Sequence, residues 1–111
     1  MAGKFEIGKR GNGEFQFNLK AGNGQVILTS EGYSAKPSCQ GGIESVRKNS
    51  ADDARYERKT ASNGKFYFTL SAANHQVVGT TQMYADTSGR DAGIASVESH
   101  APNATVVDLT V

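Results

Sequence analysis

Cys39, His75 and His100 are the cysteine and histidine residues of this chain, the residue types that structural zinc sites use and that often serve as nucleophile and general base. A nucleophilic cysteine needs a base held beside it, and a structural zinc site needs four Cys or His ligands at short spacing. One cysteine and two histidines without carboxylates at ligand spacing meet neither requirement. The sequence therefore predicts no catalytic residues, no metal and no cofactor, and an enzyme is the least supported function class.

A second set of polar residues stands out because it occurs twice. Residues 4–53 align with residues 55–104 at an offset of 51 without a gap, and 16 of the 50 aligned positions are identical. The apolar identities follow the periodicity of buried faces and need no other role. Among the polar identities, turn chemistry explains the asparagines, and Ser45/Ser96 at mid-helix is interpreted as a small residue that allows close packing. The pairs that remain are Glu6/Glu57, Gln25/Gln76, Thr29/Thr80 and Tyr33/Tyr84, and the last three are candidate binding residues.

Tyr33 and Tyr84 each lie between the third predicted strand and the predicted helix of their repeat. The first interpretation is packing, with the ring over the sheet and the hydroxyl bonded to a backbone group. Ligand contact is the alternative, because loops that join rigid elements often carry binding residues. Since the chain is duplicated, ligand contact predicts two pseudo-equivalent clefts.

Three short strands and one helix position these residues in each repeat. Phe15, Phe17 and Leu19 alternate with polar residues, which predicts a half-buried strand. Asn-Gly turns precede and follow it at residues 12–13 and 23–24, because both residue types tolerate positive φ. Cys39, Gly42, Ile43 and Val46 then share one helical face. The second repeat follows the same order, with a helix from about residue 86 to 98 and His75 in the turn position of Gly24.

The length of the chain limits its domain organisation, and its charge limits the classes of partner. With 111 residues, the chain is expected to form one domain, 1–111, built of repeat 1 (4–53) and repeat 2 (55–104) sharing one core. The tail, 105–111, is expected to be frayed, and an edge strand is the alternative. Twelve basic and eleven acidic residues give a net charge of +1 without a basic block, which disfavours strong nucleic-acid binding.

Compartment and assembly follow from the same composition. The first ten residues lack the apolar stretch of a signal peptide, and no segment is apolar enough to span a membrane. A lone cysteine cannot form an intramolecular disulfide. These features predict a soluble cytoplasmic protein without membrane contact. We expect a pseudo-dimer within one chain, and hence a monomer.

The residues also resemble a known family. The string from Thr29 through Tyr33, the run Gly42-Ile43-Glu44-Ser45-Val46, Lys48 with Asn49, the Asn-Gly turns and the Phe15–Leu19 strand are similar to the signature of the bacterial YegP-like tandem β-β-β-α repeat proteins. The resemblance covers residues 4 to about 100, and repeat 2 is looser. It implies an α+β fold in which both repeats share one antiparallel sheet, with two helices exchanged between the repeats on one face. The family has no characterised function, so it implies no site residues.

Two functional hypotheses remain. The first is a non-enzymatic binding or interaction module whose partner is a protein or a small molecule held in the two clefts. The second is weak binding of single-stranded nucleic acid on the open face of the sheet by stacking. We expect that face to expose Glu6, Gln16, Asn18, Lys20, Lys59, Tyr67, Thr69 and Ser71.

Overall fold

The computed structural model describes residues 3–110, so Met1, Ala2 and Val111, the last residue of the predicted tail, lie outside the described residues. The strands are β1 (Lys4–Lys9), β2 (Phe15–Lys20), β3 (Val26–Thr29), β4 (Tyr56–Thr60), β5 (Phe66–Ser71), β6 (Val77–Thr80) and β7 (Thr105–Asp108). Helix α1 (Lys36–Asn49) follows β3, and helix α2 (Thr87–His100) follows β6. Each repeat therefore has the predicted β-β-β-α order.

The strands form one seven-stranded sheet in the order β4-β5-β6-β3-β2-β1-β7. The two repeats meet at the centre, where β3 and β6 pair antiparallel through Thr29 and Thr80. We call this junction the seam. The α+β fold with two repeats sharing one sheet is confirmed, but β7 runs parallel to β1, so the sheet is mixed and not purely antiparallel as expected.

Strand β7 shows that the prediction of a frayed tail was wrong. The backbone N–H of Thr105 donates to the carbonyl of Gly3 (3.2 Å), and that of Leu109 donates to Ile7 (2.9 Å). Lys36 on α1 donates to the Asp108 carboxylate at 2.8 Å. Backbone pairing and one ion pair thus order the tail, although its sequence is short and mostly exposed.

Both helices pack on the same face of the sheet. The middle strands carry the core through alternate residues, Phe17 and Leu19 on β2 and Phe68 and Leu70 on β5, all fully buried. Helix α1 contacts β2 of its own repeat and β5 and β6 of the other, while α2 contacts β5 and β3. Each helix therefore spans both repeats, and neither repeat closes its core alone.

The retained glycines of the helices leave room for the tyrosine that both repeats retain, Tyr33 and Tyr84. Tyr33 stacks on Phe17 and Tyr84 stacks on Phe68, both with ring centroids 6.4 Å apart. A Cβ on Gly42 would lie 2.9 Å from Cζ of Tyr33 and 3.0 Å from Cε2 of Phe17. Contacts under 3 Å are not tolerated, so the predicted close approach of helix and sheet is confirmed.

The seam departs from the internal symmetry at one place. Leu28 on β3 and Gly79 on β6 are equivalent positions at the offset of 51. A Cβ on Gly79 would lie 2.6 Å from both Cγ and Cδ2 of Leu28. The leucine of repeat 1 therefore fills the space that a side chain of repeat 2 would need.

Candidate functional site

Two clefts lie between the helix of one repeat and the second turn of the other. The first cleft separates α1 from the β5–β6 turn, and its two adjoining parts measure about 220 and 260 Å³. The second cleft separates α2 from the β2–β3 turn and measures about 470 Å³. Residues 21, 23, 25 and 27 of the second cleft are equivalent to residues 72, 74, 76 and 78 of the first.

Five of the six candidate residues fall in three places, and the sixth, Tyr84, packs over Gly93 of its own repeat and does not line the second cleft. Gln76 lies in the first cleft with Tyr33 of the opposite repeat. Gln25 lies in the second cleft with Ser96 of α2. Thr29 and Thr80 lie together at the seam, beside a depression of about 430 Å³, and line neither cleft. Each cleft is therefore lined by residues of both repeats, whereas the sequence analysis grouped the candidate residues repeat by repeat.

The tyrosine side chains are largely packing groups. Burial, with the nearby Glu31 charge, raises the pKa of the Tyr33 hydroxyl, and burial raises the pKa of Tyr84. Tyr84 sits over Gly93 in the way that Tyr33 sits over Gly42. Both hydroxyls therefore stay protonated at neutral pH. They offer a neutral hydrogen-bonding group at the helix surface and no phenolate.

Turn formation explains the asparagines of the clefts but not the glutamine side chains. The side-chain oxygens of Asn23 and Asn74 accept from the backbone N–H groups of Gln25 and Gln76, both at 3.0 Å. This is an Asx turn, which uses only the backbone of the second residue. The exposed amide groups of Gln25 and Gln76 are therefore not needed to form the turn.

Ser96 and His100 form a pair that sequence reasoning missed. His100 Nδ1 lies 2.8 Å from the backbone oxygen of Ser96 and 3.3 Å from its Oγ. Asn49 makes the equivalent contact in repeat 1, with Nδ2 donating to the Ser45 oxygen at 2.8 Å. The alignment of Asn49 with His100, four residues after a retained serine, was the signal available in the sequence.

This serine–histidine pair is not arranged for nucleophilic catalysis. Because a carbonyl oxygen only accepts, the 2.8 Å contact makes His100 Nδ1 a protonated donor to the Ser96 carbonyl, whereas a general base must present an unprotonated nitrogen to the hydroxyl. The asparagine in the equivalent position makes the same backbone contact without any base. The pair is therefore a helix-end contact that also lines the second cleft.

The retained glutamates are explained by charge pairs on the open face. Glu6 accepts from Lys20 at 2.8 Å and lies 3.4 Å from Lys4, and the Lys20 hydrogen bond lowers the pKa of Glu6. Glu57 lies 3.4 Å from Lys59. Lys20 and Lys59, the cations expected to face a nucleic acid, are thus paired with carboxylates.

Thr69 departs from the expected open face. It is only 6% exposed, and its hydroxyl has no hydrogen-bond partner within residues 3–110. Its neighbour across the sheet is Thr80, at the seam. The open face is therefore less accessible beside the seam than the alternating pattern predicts.

The other chemistry-bearing groups give no cluster. Across residues 3–110, no three or more His, Cys, Asp or Glu side chains converge to hold a metal ion. Neither α1 nor α2 is long and apolar enough to cross a membrane. Cys39 is fully buried, and burial raises the pKa of its thiol.

Comparison with known proteins gives a family without an assigned activity. The profile described as "Domain of unknown function (DUF1508)" matches residues 11–57 and 61–108. A UPF0339 protein of Stutzerimonas stutzeri, in the ptx operon 5′ region, is 59% identical over 109 residues, covering 98% of each chain. UPF0339 protein YegP of Escherichia coli (strain K12) is 57% identical over 110 residues, covering 99% of this chain and 100% of its own.

Two solution NMR structures match the fold. That of YegP from E. coli, titled a protein of unknown function, has a TM-score of 0.93 at 57% identity, covering 98% of this chain and 94% of its own. That of a UPF0339 protein from Shewanella oneidensis has a TM-score of 0.93 at 52% identity, covering 98% and 92%.

The matched segments frame the repeat differently from the alignment of residues 4–53 with 55–104. The first runs from the turn before β2 to β4, and the second from the turn before β5 to β7. In this frame the unit is β-β-α-β. Strand β7 is then the equivalent of β4, and β1 precedes the first unit.

Proposed function

The chain belongs to the DUF1508 family of YegP-like proteins, and we propose that it is a non-enzymatic binding module that holds a small polar ligand in each of its two clefts. The ligand class follows from the cleft walls, which carry amide and hydroxyl groups with few charges. Tyr33 and Lys48 in the first cleft and His100 in the second are the titratable side chains that differ between them. The shared walls suit an uncharged, hydrogen-bonding molecule of metabolite size.

One observation supports this proposal most strongly. Both repeats retain Gln and Ser at equivalent positions, and the fold brings the Gln of one repeat opposite the Ser of the other. The Asx turn needs only the backbone of the glutamine, and its exposed side chain adds nothing to the core. A side chain that is retained twice without a packing role is expected to serve recognition.

The same proposal includes the working state of the protein. The internal pseudo-twofold axis already supplies two sites, so we propose that the chain acts as a monomer. A single buried thiol is compatible with a reducing compartment such as the cytoplasm.

The test is a binding experiment on the labelled protein with a pool of small polar metabolites. We expect shifts of the side-chain amides of Gln25 and Gln76. Each Gln→Ala change should lower the affinity about 2- to 12-fold, because one hydrogen bond contributes about 0.5–1.5 kcal/mol. Gln82→Ala, at the seam and outside both clefts, is the matched control. Shifts that leave both glutamines unmoved would refute the two-cleft proposal.

Nucleic-acid binding on the open face has weaker support. It predicts that salt weakens binding steeply, because phosphate contacts release counterions. The lysines of that face are paired with Glu6 and Glu57, which reduces their attraction for phosphate. Binding of a short RNA at low salt, with shifts centred on Tyr67, would bring this function back.

A further inference from the structure

The duplication supplies more outer strands than the sheet can place beside its middle strands. Each helix leads into an outer strand, β4 after α1 and β7 after α2, and the chain also begins with β1. Strand β4 pairs with β5, and β1 pairs with β2, both antiparallel. Both positions are thereby filled. Strand β7 is left to add in parallel to the outer edge of β1.

Strand β7 is held mainly by its backbone. Its residues 105–108 pair in order with residues 4–7 of β1. Of its two apolar side chains, Val106 is 44% exposed and Val107 is half-buried, and Leu109, directly after the strand, is 61% exposed. Apolar burial therefore contributes little to its docking, in contrast to the fully buried Phe5 and Ile7 of β1.

A charge pair fixes the position of β7 along the edge. The Asp108 carboxylate accepts from Lys36 Nζ and from the backbone N–H of Thr110, both at 2.8 Å. These hydrogen bonds lower the pKa of Asp108 to about 2. Two residues earlier, Val106 faces Ile43 across a groove of about 270 Å³ beside α1. The edge therefore contacts two side chains of the strand: an apolar residue opposite Phe5 and a carboxylate opposite Ile7.

From this arrangement we propose that the outer edge of β1, with the start of α1, is a strand-binding site for an extended segment of another protein that carries an apolar residue and, two residues later, a carboxylate. The chain's own tail occupies this site in cis. Addition of a strand to a sheet edge is a general mode of peptide recognition, in which backbone bonds give affinity and side-chain contacts give specificity. This surface is separate from the two clefts.

The tail sets the threshold for such a partner. A tethered strand competes at an effective concentration of the order of millimolar, so a partner must bind more tightly than that or act when the tail is loosened. Breaking the Asp108–Lys36 pair should therefore raise the affinity of a free peptide. If Asp108 only stabilised the tail and the edge accepted no other strand, the same change would leave the free peptide unbound.

The experiment uses the full chain and, as probe, a blocked peptide of the tail's own sequence Ala-Thr-Val-Val-Asp-Leu-Thr. In Asp108→Lys, the tail brings a lysine beside Lys36, so we expect it to leave the edge. Peptide binding, followed by amide shifts of Phe5 and Ile7, should then be at least about 10-fold tighter than to the wild type, where the tail competes.

Two controls make the result specific. Lys36→Glu with Asp108→Lys restores the pair with reversed charges, and this variant should exclude a peptide with Lys in place of Asp, as the wild type excludes the unchanged peptide. A peptide with Lys in place of Asp should not bind Asp108→Lys. Asp108→Asn is the milder variant should Asp108→Lys lose the dispersed spectrum of a folded chain. Equal peptide affinity in wild type and in the folded Asp108 variants, or no binding to either, would overturn the proposal.

Discussion

Adding one methyl group at two neighbouring glycines of α1 should have opposite effects on stability. Gly41 is exposed, and a Cβ built there meets nothing within 4 Å. Gly42 is buried, and its Cβ would lie 2.9 Å from Tyr33 and 3.0 Å from Phe17. Gly41→Ala and Gly42→Ala thus change the same helix by the same group in different surroundings.

The magnitudes follow from two competing terms. Alanine is about 1 kcal/mol more favourable than glycine in a helix, and Gly41→Ala should gain about that amount in the free energy of unfolding. Gly42→Ala gains the same term but forces a methyl group against two rings, which costs about 1–3 kcal/mol in a close-packed core. Phe17 is fully buried and cannot yield easily. We therefore expect Gly42→Ala to be about 1–3 kcal/mol less stable than Gly41→Ala.

Urea unfolding followed by far-ultraviolet circular dichroism measures this difference directly. In a Tyr33→Phe background the tyrosine oxygen no longer contacts the added methyl group, so Gly42→Ala should lower the free energy of unfolding by less than in the wild type. The second repeat already has alanine at residue 92, the equivalent of Gly41, and keeps glycine at residue 93. Equal stabilisation by both single changes would refute the argument that the tyrosine fixes this glycine.

Three further predictions concern the seam, the tail and the thiol. At the seam, Leu28→Gly and Gly79→Leu should each destabilise the fold, and we expect the first to cost about 2–5 kcal/mol. The double variant should recover about 0.5–3 kcal/mol of the summed loss in the free energy of unfolding, measured by urea unfolding. Additive losses would contradict this. Because the pKa of Asp108 is lowered to about 2 from an ordinary 3.8, its stabilisation of the tail is complete above about pH 4 and is lost as the pH falls through about 2. The protection of the amides of residues 105–109 against exchange, relative to the intrinsic exchange rate at each pH, should fall over that window, and unchanged protection would argue against the ion pair. Burial of Cys39 raises the pKa of its thiol, so a thiol reagent at pH 8 should label the folded chain far more slowly than the urea-unfolded chain, and equal rates would show that Cys39 is accessible.

The sequence predicts the local elements because each has a period and a boundary of its own. Phe15, Phe17 and Leu19 alternate on one strand, and the left-handed His75 takes the turn position of Gly24, with φ of 69°. The tail was different. Its order depends on Lys36, which lies 72 residues away in the chain. A parallel pairing held mostly by backbone groups leaves little trace in the periodicity of the strand itself.

The sequence identified the candidate residues, but which of them come together in one cleft was harder to predict. The alignment identifies Gln76 and Tyr33 as retained residues but places them in different repeats. They meet because α1 crosses the seam to the β5–β6 turn. Which repeat contributes which wall depends on the packing of helices on the sheet, and a single repeat's sequence does not encode that. Thr29 and Thr80, retained in the same way, meet each other instead.

The leucine and glycine at the seam have a consequence for the ancestry of this fold. Two copies of repeat 1 joined as a homodimer would set Leu28 against Leu28 in a space that admits one leucine, and two copies of repeat 2 would leave that space empty between two glycines. Each repeat has thus become specific for the other and unsuited to itself. A homodimer of either half would therefore need a different residue at position 28 or 79 before its central strands could pack as they do here.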